Sequence, residues 1–321
     1  MSEKVLVTGG GGYVGSVLVP MLLERGYVVR VLDNFIFRQE SFFRNLVKDY
    51  GDKVEILKGD VRDRNVLSKA LDNVEFIIHL AALVGELAFR KNLVFGKETN
   101  TDSTYLLNSL RSKNQFLIFT STTSIYGENL GICDETSSVN PRMEYALSKA
   151  EAEKRILNSE KGNFIILRPA TAYGLSPRIR LDLLPNEFVY KAIFDKKLLI
   201  YEPNKRRTFV NVYDLASAIF FLLDNFIKMK DEVFNIGSEE LNMTKMEVAL
   251  VVKKILDYEL VLVDDVKDPD QRDFEVSYKK LRSFGFNVKI NLENGLRDLA
   301  EVLKNKTDKY IFGVNYLLKF D

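Results

Sequence analysis

The chain has one cysteine, Cys133, and one histidine, His79, in 321 residues. That excludes a disulfide framework and leaves too few ligands for a His/Cys metal site, so the expected metal content is none. An excess of one charge is also missing: 46 Lys plus Arg stand against 45 Asp plus Glu. There is no basic field to argue for nucleic acid and no acidic tail, and the expected partners are small molecules. No apolar run approaches the ~20 residues of a membrane-spanning helix. The best candidate, residues 215–223, is too short and reads as a core helix. Repeats, low-complexity tracts and long linkers are absent from the sequence. A strand pattern begins within three residues of Met1, which reads as leaving no room for a signal peptide, and the expected setting is cytoplasmic.

What is present begins with Thr8-Gly9-Gly10-Gly11-Gly12-Tyr13-Val14-Gly15. An apolar strand pattern, 4–7, precedes it, and a helix pattern closed by Gly26 follows. Four adjacent glycines alone often make a loose loop. Between a strand and a helix they make a phosphate seat: Gly9, Gly12 and Gly15 allow a tight turn, close approach of a pyrophosphate and packing of helix on strand, while the helix N-terminus presents N–H donors beside Tyr13 and Val14. Asp33 ends the next apolar run, 27–32, where a carboxylate accepts ribose hydroxyls and repels a 2′-phosphate. Asn34 follows where an NADP enzyme tends to place a basic residue, so the expected cofactor is NAD. The competing reading makes Asp33 a polar strand stop, and Arg38 lies nearby.

Further strand patterns at 53–60, 76–82 and 115–120 alternate with helix patterns, one of them capped by Asp63 and ending at Leu71, another spanning 97–110 with Asn100 near its start. This is the order of an α/β fold, a Rossmann-type doubly wound parallel sheet, with ligands at the carboxyl ends of the strands. Asp60 and Val61 would then border the adenine, and the small residues of Leu80-Ala81-Ala82 would let a dinucleotide cross a strand end. His79, flanked by apolar residues, reads as a packed core histidine more than as a catalyst. The strand ending at Thr120 runs into a hydroxyl cluster that includes Thr122, Thr123 and Ser124. A helix opening at Asn140-Pro141 carries Tyr145 and Lys149 four apart on one face, where an ammonium favours an ionised phenol. Such a tyrosine exchanges a proton with an alcohol near neutral pH. Arg178 and Arg180 lie in a loop before a later helix, suited to a diphosphate or to sugar hydroxyls.

Taken together these motifs resemble the extended short-chain dehydrogenase/reductase family, the NAD-dependent epimerases and dehydratases of nucleotide sugars. The resemblance runs over nearly the whole chain: residues 8–15, Asp33, 59–61, 79–82, Asn100, 122–127, Pro141-x-x-x-Tyr145-x-x-x-Lys149, 167–169, 207–212 and 270–285. It implies a cofactor domain over residues 1–174 and a smaller, mainly substrate-binding α/β region over 175–321, with segments returning to the sheet. It implies that Thr122 binds the reacting sugar oxygen, that Tyr145 is the acid/base, and that Lys149 lowers its pKa and holds the nicotinamide ribose. Pro169 and Thr171 would line the nicotinamide pocket, Asn100 would belong to the cofactor site, and Arg207 and Arg272 would clamp the diphosphate of a nucleotide-diphosphate sugar. Thr123-Ser124 stand where 4,6-dehydratases carry an Asp-Glu pair and nucleotide-sugar acid decarboxylases a glutamate at the second position. That favours a 4-epimerase acting by transient oxidation at C4, in cell-surface polysaccharide or sugar biosynthesis. Asn211 and Thr171 depart from the usual histidine and asparagine. A net 4-dehydrogenase or 4-ketoreductase, and a catalytically silent NAD-binding protein, are the alternatives. The resemblance also implies a homodimer through helices near 97–111 and 141–159. The apolar tail, 310–320, is expected to pack on the body or on a second subunit.

Overall fold

The computed structural model describes residues 3–127, 131–263, 272–305 and 311–313. Seven strands form the central sheet: β1 (Lys4–Thr8), β2 (Val28–Asp33), β3 (Val54–Lys58), β4 (Phe76–His79), β5 (Phe116–Thr120), β7 (Phe164–Pro169) and β12 (Glu232–Ile236). Their spatial order is β12-β7-β5-β4-β1-β2-β3, every pair parallel. Order reverses between β1 and β4, and a crevice opens there at the carboxyl ends. The strands are short apolar runs because both faces are covered: Val5, Leu6, Val7, Ile77 and Ile78 have no exposed surface.

Smaller pairings build the rest. β8 (Thr171–Tyr173), β11 (Arg206–Asn211) and β13 (Asn242–Thr244) make a three-stranded sheet; β6 (Ile132–Cys133) pairs with β15 (Glu275–Val276), and β10 (Lys197–Tyr201) with β14 (Glu259–Val263). β9 (Arg178–Arg180) pairs in parallel with β16 (Ile311–Gly313). The expected association of the tail with the body thus holds for that strand; residues 310 and 314–320 lie outside the described residues. Returning segments are seen too, since β12 lies at an edge of the central sheet and helix Val212–Asp224 packs on helix Gly15–Glu24. The 175–321 portion has its own apolar core, with Ile179, Val189, Phe209, Val252 and Leu296 buried together.

Local signals are followed closely where they are local. Helix α1 (Gly15–Glu24) ends in a Schellman motif: Gly26 takes φ +92°, its N–H donates to Leu23 O at 3.0 Å, and the Tyr27 N–H donates to Leu22 O at 3.1 Å. After α2 (Glu40–Tyr50) comes α3 (Arg64–Leu71), capped as expected by Asp63, whose carboxylate accepts from the N–H groups of Asn65 and Val66.

Two boundaries differ from the sequence pattern. The 97–110 helix is broken into α5 (Leu93–Lys97), a π-turn over Glu98–Asp102 and α6 (Ser103–Leu110), with a short α4 (Glu86–Lys91) before it. The Tyr145 helix, α7 (Glu144–Leu157), starts at Glu144 and not at Asn140-Pro141. The residue before a proline is held out of the helical region, and the N-terminus is instead fixed from another element, as described below. Among the described residues no helix is long and apolar enough to cross a membrane.

Candidate active site

The glycine turn is tight because side chains would not fit. A Cβ on Gly9, whose φ is +70°, would lie 2.7 Å from the backbone N of Ala81, and one on Gly15 would lie 2.5 Å from Gly10 Cα. The Ser16 N–H donates to Gly12 O at 3.0 Å and the Leu18 N–H to Val14 O at 3.0 Å, so the helix starts directly from the glycine turn. Asp33 braces the turn: its carboxylate accepts from Gly11 N at 2.8 Å and Phe35 N at 2.7 Å. Burial raises its pKa, which those two bonds oppose.

Beside this turn a cavity of about 90 Å³ is lined by Gly9, Gly12, Asp33, Asn34, Asp60, Val61, Leu80, Ala81 and Ala82. The predicted adenosine-side residues therefore do come together. Asn100 is placed differently. It is fully buried in the π-turn, where its amide accepts from Leu83 N at 2.7 Å and donates to Leu83 O at 3.0 Å and to Ser148 Oγ at 3.1 Å. It ties the strand end to the Tyr145 helix and does not line either cavity. His79 is a core residue, its ring nitrogens 2.6 Å from Thr8 Oγ1 and 3.0 Å from Thr104 Oγ1. Burial, then the charge of Lys149, pushes its pKa down to about 3, so the ring is neutral.

A second cavity, about 450 Å³, continues from the glycine turn to the reacting groups. Gly12, Tyr13, Val14 and Gly15 line one end; Thr122, Tyr145, Lys149, Pro169 and Thr171 line the middle; Arg178, Arg180, Arg207 and Arg272 also border it. Thr122 lies beside Tyr145, and its hydroxyl opposes the upward push of burial on the Tyr145 phenol. Thr122 also caps the turn after β5, accepting from Ser124 N at 3.2 Å and donating to Ser124 Oγ at 3.1 Å. Thr123 turns away from the site, donating to Pro169 O at 3.2 Å and joining the ends of β5 and β7. Ser124 takes the cavity position expected of Thr123, because one step along a 3₁₀ turn carries a side chain to another face.

The electrostatics also depart from the simple Tyr/Lys picture. Burial raises the Tyr145 phenol, and the opposing cations are Arg180 and Arg272. Lys149, buried with its Nζ 4.3 Å from the Phe119 ring centroid, is pushed down to about 7 by burial, with Glu153 opposing. Arg180 is held by Asp182, at 2.7 and 3.1 Å, and donates to Val84 O at 3.3 Å. Arg207 donates to the carbonyls of Arg206 and Arg272, and so places Arg272. Arg178, expected with the substrate, instead reaches the glycine-turn end, its guanidinium 3.8 Å over the Phe37 ring and within electrostatic reach of Asp33 and Tyr13.

Three residues given no role in the sequence reading hold this arrangement. Glu86 reaches across to α7, accepting from Tyr145 N at 3.1 Å and Glu144 N at 3.4 Å. It is the external cap that sets where the Tyr145 helix begins. Ser176 donates to Tyr13 O at 2.7 Å, and Asn186 accepts from Gly174 N at 2.8 Å and donates to Arg180 O at 2.9 Å, so together they fasten the 174–180 segment to the glycine turn. Nothing local marks Glu86; Ser176 precedes the arginine-bearing strand and Asn186 lies in the first turn of the helix after it, Leu184–Phe194, so those arginines were the available signal.

The family model of the NAD dependent epimerase/dehydratase family matches residues 5–237. The chain belongs to this family. UDP-glucuronic acid decarboxylase 1 of Arabidopsis thaliana is 29% identical over 320 residues, covering 94% of this chain and 70% of that protein. UDP-glucose 4-epimerase 2 of Arabidopsis thaliana is 26% identical over 349 residues, covering 98% of each. In fold, the crystal structure of the UDP-glucuronic acid 4-epimerase of Bacillus cereus, in complex with UDP-glucuronic acid and NAD, superposes with a TM-score of 0.83 at 24% identity over 95% of this chain and 100% of that one. The protein is an enzyme of the epimerase/dehydratase type and its cofactor is NAD. The residues fit that cofactor: the turn has no room for a Cβ at Gly9 or Gly15, and Asp33 stands at the tip of β2.

Proposed function

We propose that the chain is an NAD-dependent nucleotide-sugar epimerase that works by transient oxidation at C4. The observation that carries this reading is the meeting of Thr122, Tyr145 and Lys149 in the lining of one cavity, with a hydroxyl, Ser124, bonded to Thr122. Bound NAD supplies a reversible hydride acceptor for the sugar carbon. The chain's own residues manage the oxygen and its proton. Tyr145, as phenolate, takes the proton from the C4 hydroxyl; Thr122 fixes that oxygen; Arg180 and Arg272 favour the phenolate. Arg207 and Arg272 supply cations for the sugar's diphosphate.

Among the residues that line the cavity are Gly85, Ala88 and the hydroxyls of Thr122 and Ser124, beside the larger Glu86, Leu87 and Met143. Small groups leave a keto sugar room to turn, so that the carbon is re-reduced on its other face and NAD is regenerated. In this reading residues 1–174 carry the cofactor and 175–321 mainly the substrate. Two subunits associate through the helices α5, α6 and α7, where Val94, Tyr105 and Leu147 are exposed.

The test is incubation with NAD and a panel of UDP-, GDP-, CDP- and dTDP-sugars, following nicotinamide absorbance and product NMR together. Inverted C4 stereochemistry without net NADH is the expected result. Accumulating NADH or a keto sugar would replace the epimerase with a net dehydrogenase.

A further inference from the structure

Strand alternation puts Arg178 and Arg180 on one face of β9 and Ile179 on the other. The structure follows this: both arginines line the larger cavity, while Ile179 is buried in the core of the second half. The two arginines then diverge. Arg180 serves the reacting end, beside Asp182 and Tyr145. Arg178 serves the other end, where the glycine turn lies.

The segment that leads to Arg178 is fastened to that turn at several points. Tyr13 donates from its phenol to Gly174 O at 2.6 Å, Ser176 Oγ donates to Tyr13 O at 2.7 Å, and Ser176 Oγ lies 3.0 Å from Ser16 Oγ. Phe37, from the loop after Asp33, forms the floor under the guanidinium at 3.8 Å. Arg178 is thus only 2% exposed, yet it lines the cavity. Among the described residues, the charged and titratable groups that act on it are Arg180, Asp182, Tyr13 and Asp33, and burial pushes its pKa down to about 9. A dianion bound there would face helix N–H groups on one side and a desolvated guanidinium on the other, which is the setting in which charge-assisted bonds are strongest.

β9 is in turn held by the C-terminal strand. Ile311, Phe312 and Gly313 are in register with Arg178, Ile179 and Arg180, and Leu181 N donates to Gly313 O at 2.9 Å. A Cβ on Gly313 would sit 3.6 Å from Arg178 Nη2, so the strand's backbone lies against the guanidinium itself.

We propose that Arg178 binds the diphosphate of NAD from the side opposite the glycine turn, and that the C-terminal strand holds it in place. The inference rests on the family's use of NAD. In an enzyme that regenerates NAD at each turnover, such a clamp keeps the cofactor in place between cycles.

The experiment uses the full chain, Arg178→Met, Arg178→Lys and a chain ending at Asn305. It reads the NAD content of each purified protein by chromatography, and titrates NAD, ADP-ribose, adenosine and UDP calorimetrically. Arg178→Met should weaken NAD and ADP-ribose together by about 10- to 100-fold, the worth of one charge-assisted contact. Adenosine and UDP should bind unchanged, and Arg178→Lys should fall between. The shortened chain should lose NAD in the same direction as Arg178→Met. Unchanged ADP-ribose affinity, or weaker UDP binding with NAD retained, would overturn the assignment of Arg178; if Arg178→Met does not fold, Arg178→Lys decides by the same readings. Full NAD affinity in the shortened chain would overturn the part given to the C-terminal strand. An unmodified protein that binds no NAD would instead remove the cofactor reading itself.

Discussion

Arg272 donates from Nη1 to Ser124 Oγ at 2.6 Å, joining two positions 148 residues apart in the sequence. Ser124 Oγ also accepts from Thr122 at 3.1 Å, and Thr122 lies beside Tyr145 and favours its ionised form, so neighbouring groups run from a diphosphate-binding candidate to the acid/base. In the proposed reaction Arg272→Met should raise KM for the nucleotide sugar by about 10- to 100-fold, with NAD affinity unchanged. Ser124→Ala removes the shared acceptor and should lower kcat/KM by roughly tenfold. Steady-state kinetics beside NAD titration checks both. A weakened NAD complex in Arg272→Met would place that arginine on the cofactor instead.

Tyr145→Phe removes the proton acceptor and keeps the ring packed against Phe89, 6.5 Å away between centroids. Single-turnover hydride transfer should fall by about 10²- to 10⁴-fold, the usual worth of general acid–base catalysis. NAD should remain bound. Wild-type rates in this variant would remove Tyr145 from the mechanism.

Arg180 and Arg272, and not Lys149, are the cations that oppose the upward push of burial on the Tyr145 phenol. A neighbouring cation favours the phenolate and lowers its pKa, so deleting one raises it. The base form then requires higher pH. In Arg180→Met, combined with Asp182→Asn to avoid stranding a buried carboxylate, the acidic limb of the kcat/KM profile should move to higher pH. The same limb in Lys149→Met should move less. An unshifted limb in the Arg180 variant would mean that another group sets it.

Much of this site was legible because its signals are local. The glycine turn, Asp33 at a strand end, the Asp63 cap and the four-residue spacing of Tyr145 and Lys149 each depend on a few neighbouring residues. What was not legible depends on distant chain segments meeting. Glu86 sets the start of the Tyr145 helix from 59 positions away, and no periodicity near residue 141 records it. The face taken by Arg178 is decided by Ile179 entering the core and by a tail strand more than a hundred residues later. Thr123 and Ser124 exchange places by one step of a 3₁₀ turn, finer than any motif spacing resolves.

Burial of a neutral His79 should make the protein acid-sensitive. Its folded pKa is lowered to about 3, whereas an unfolded histidine titrates near 6.5. Between those values the unfolded chain holds a proton that the native state does not, so stability rises with pH through this window and is flat above it. The slope is roughly 1.4 kcal/mol per pH unit, or about 2 kcal/mol between pH 6.5 and 5. Urea unfolding across that range should show this fall in the wild type and a shallower one in His79→Asn. Parallel curves would mean that other groups carry the acid sensitivity.

Val94 is 73% exposed on α5 and Tyr105 55% exposed on α6, and Leu147 is exposed on α7, the helix against which both of the others pack. Three large apolar side chains on adjoining helices are an area that a second subunit would cover. Arg155 already stacks on Tyr105, 5.0 Å from its ring centroid, so the patch has a polar rim. Light scattering should give a dimer for the wild type. Tyr105→Glu with Leu147→Glu places two carboxylates at the centre of that area, where desolvating them costs more than the lost contacts return. The double variant should be a folded monomer with its NAD content intact, because neither residue touches the cofactor cavities. A wild-type monomer, or an unaltered dimer in the variant, would move the interface away from these helices.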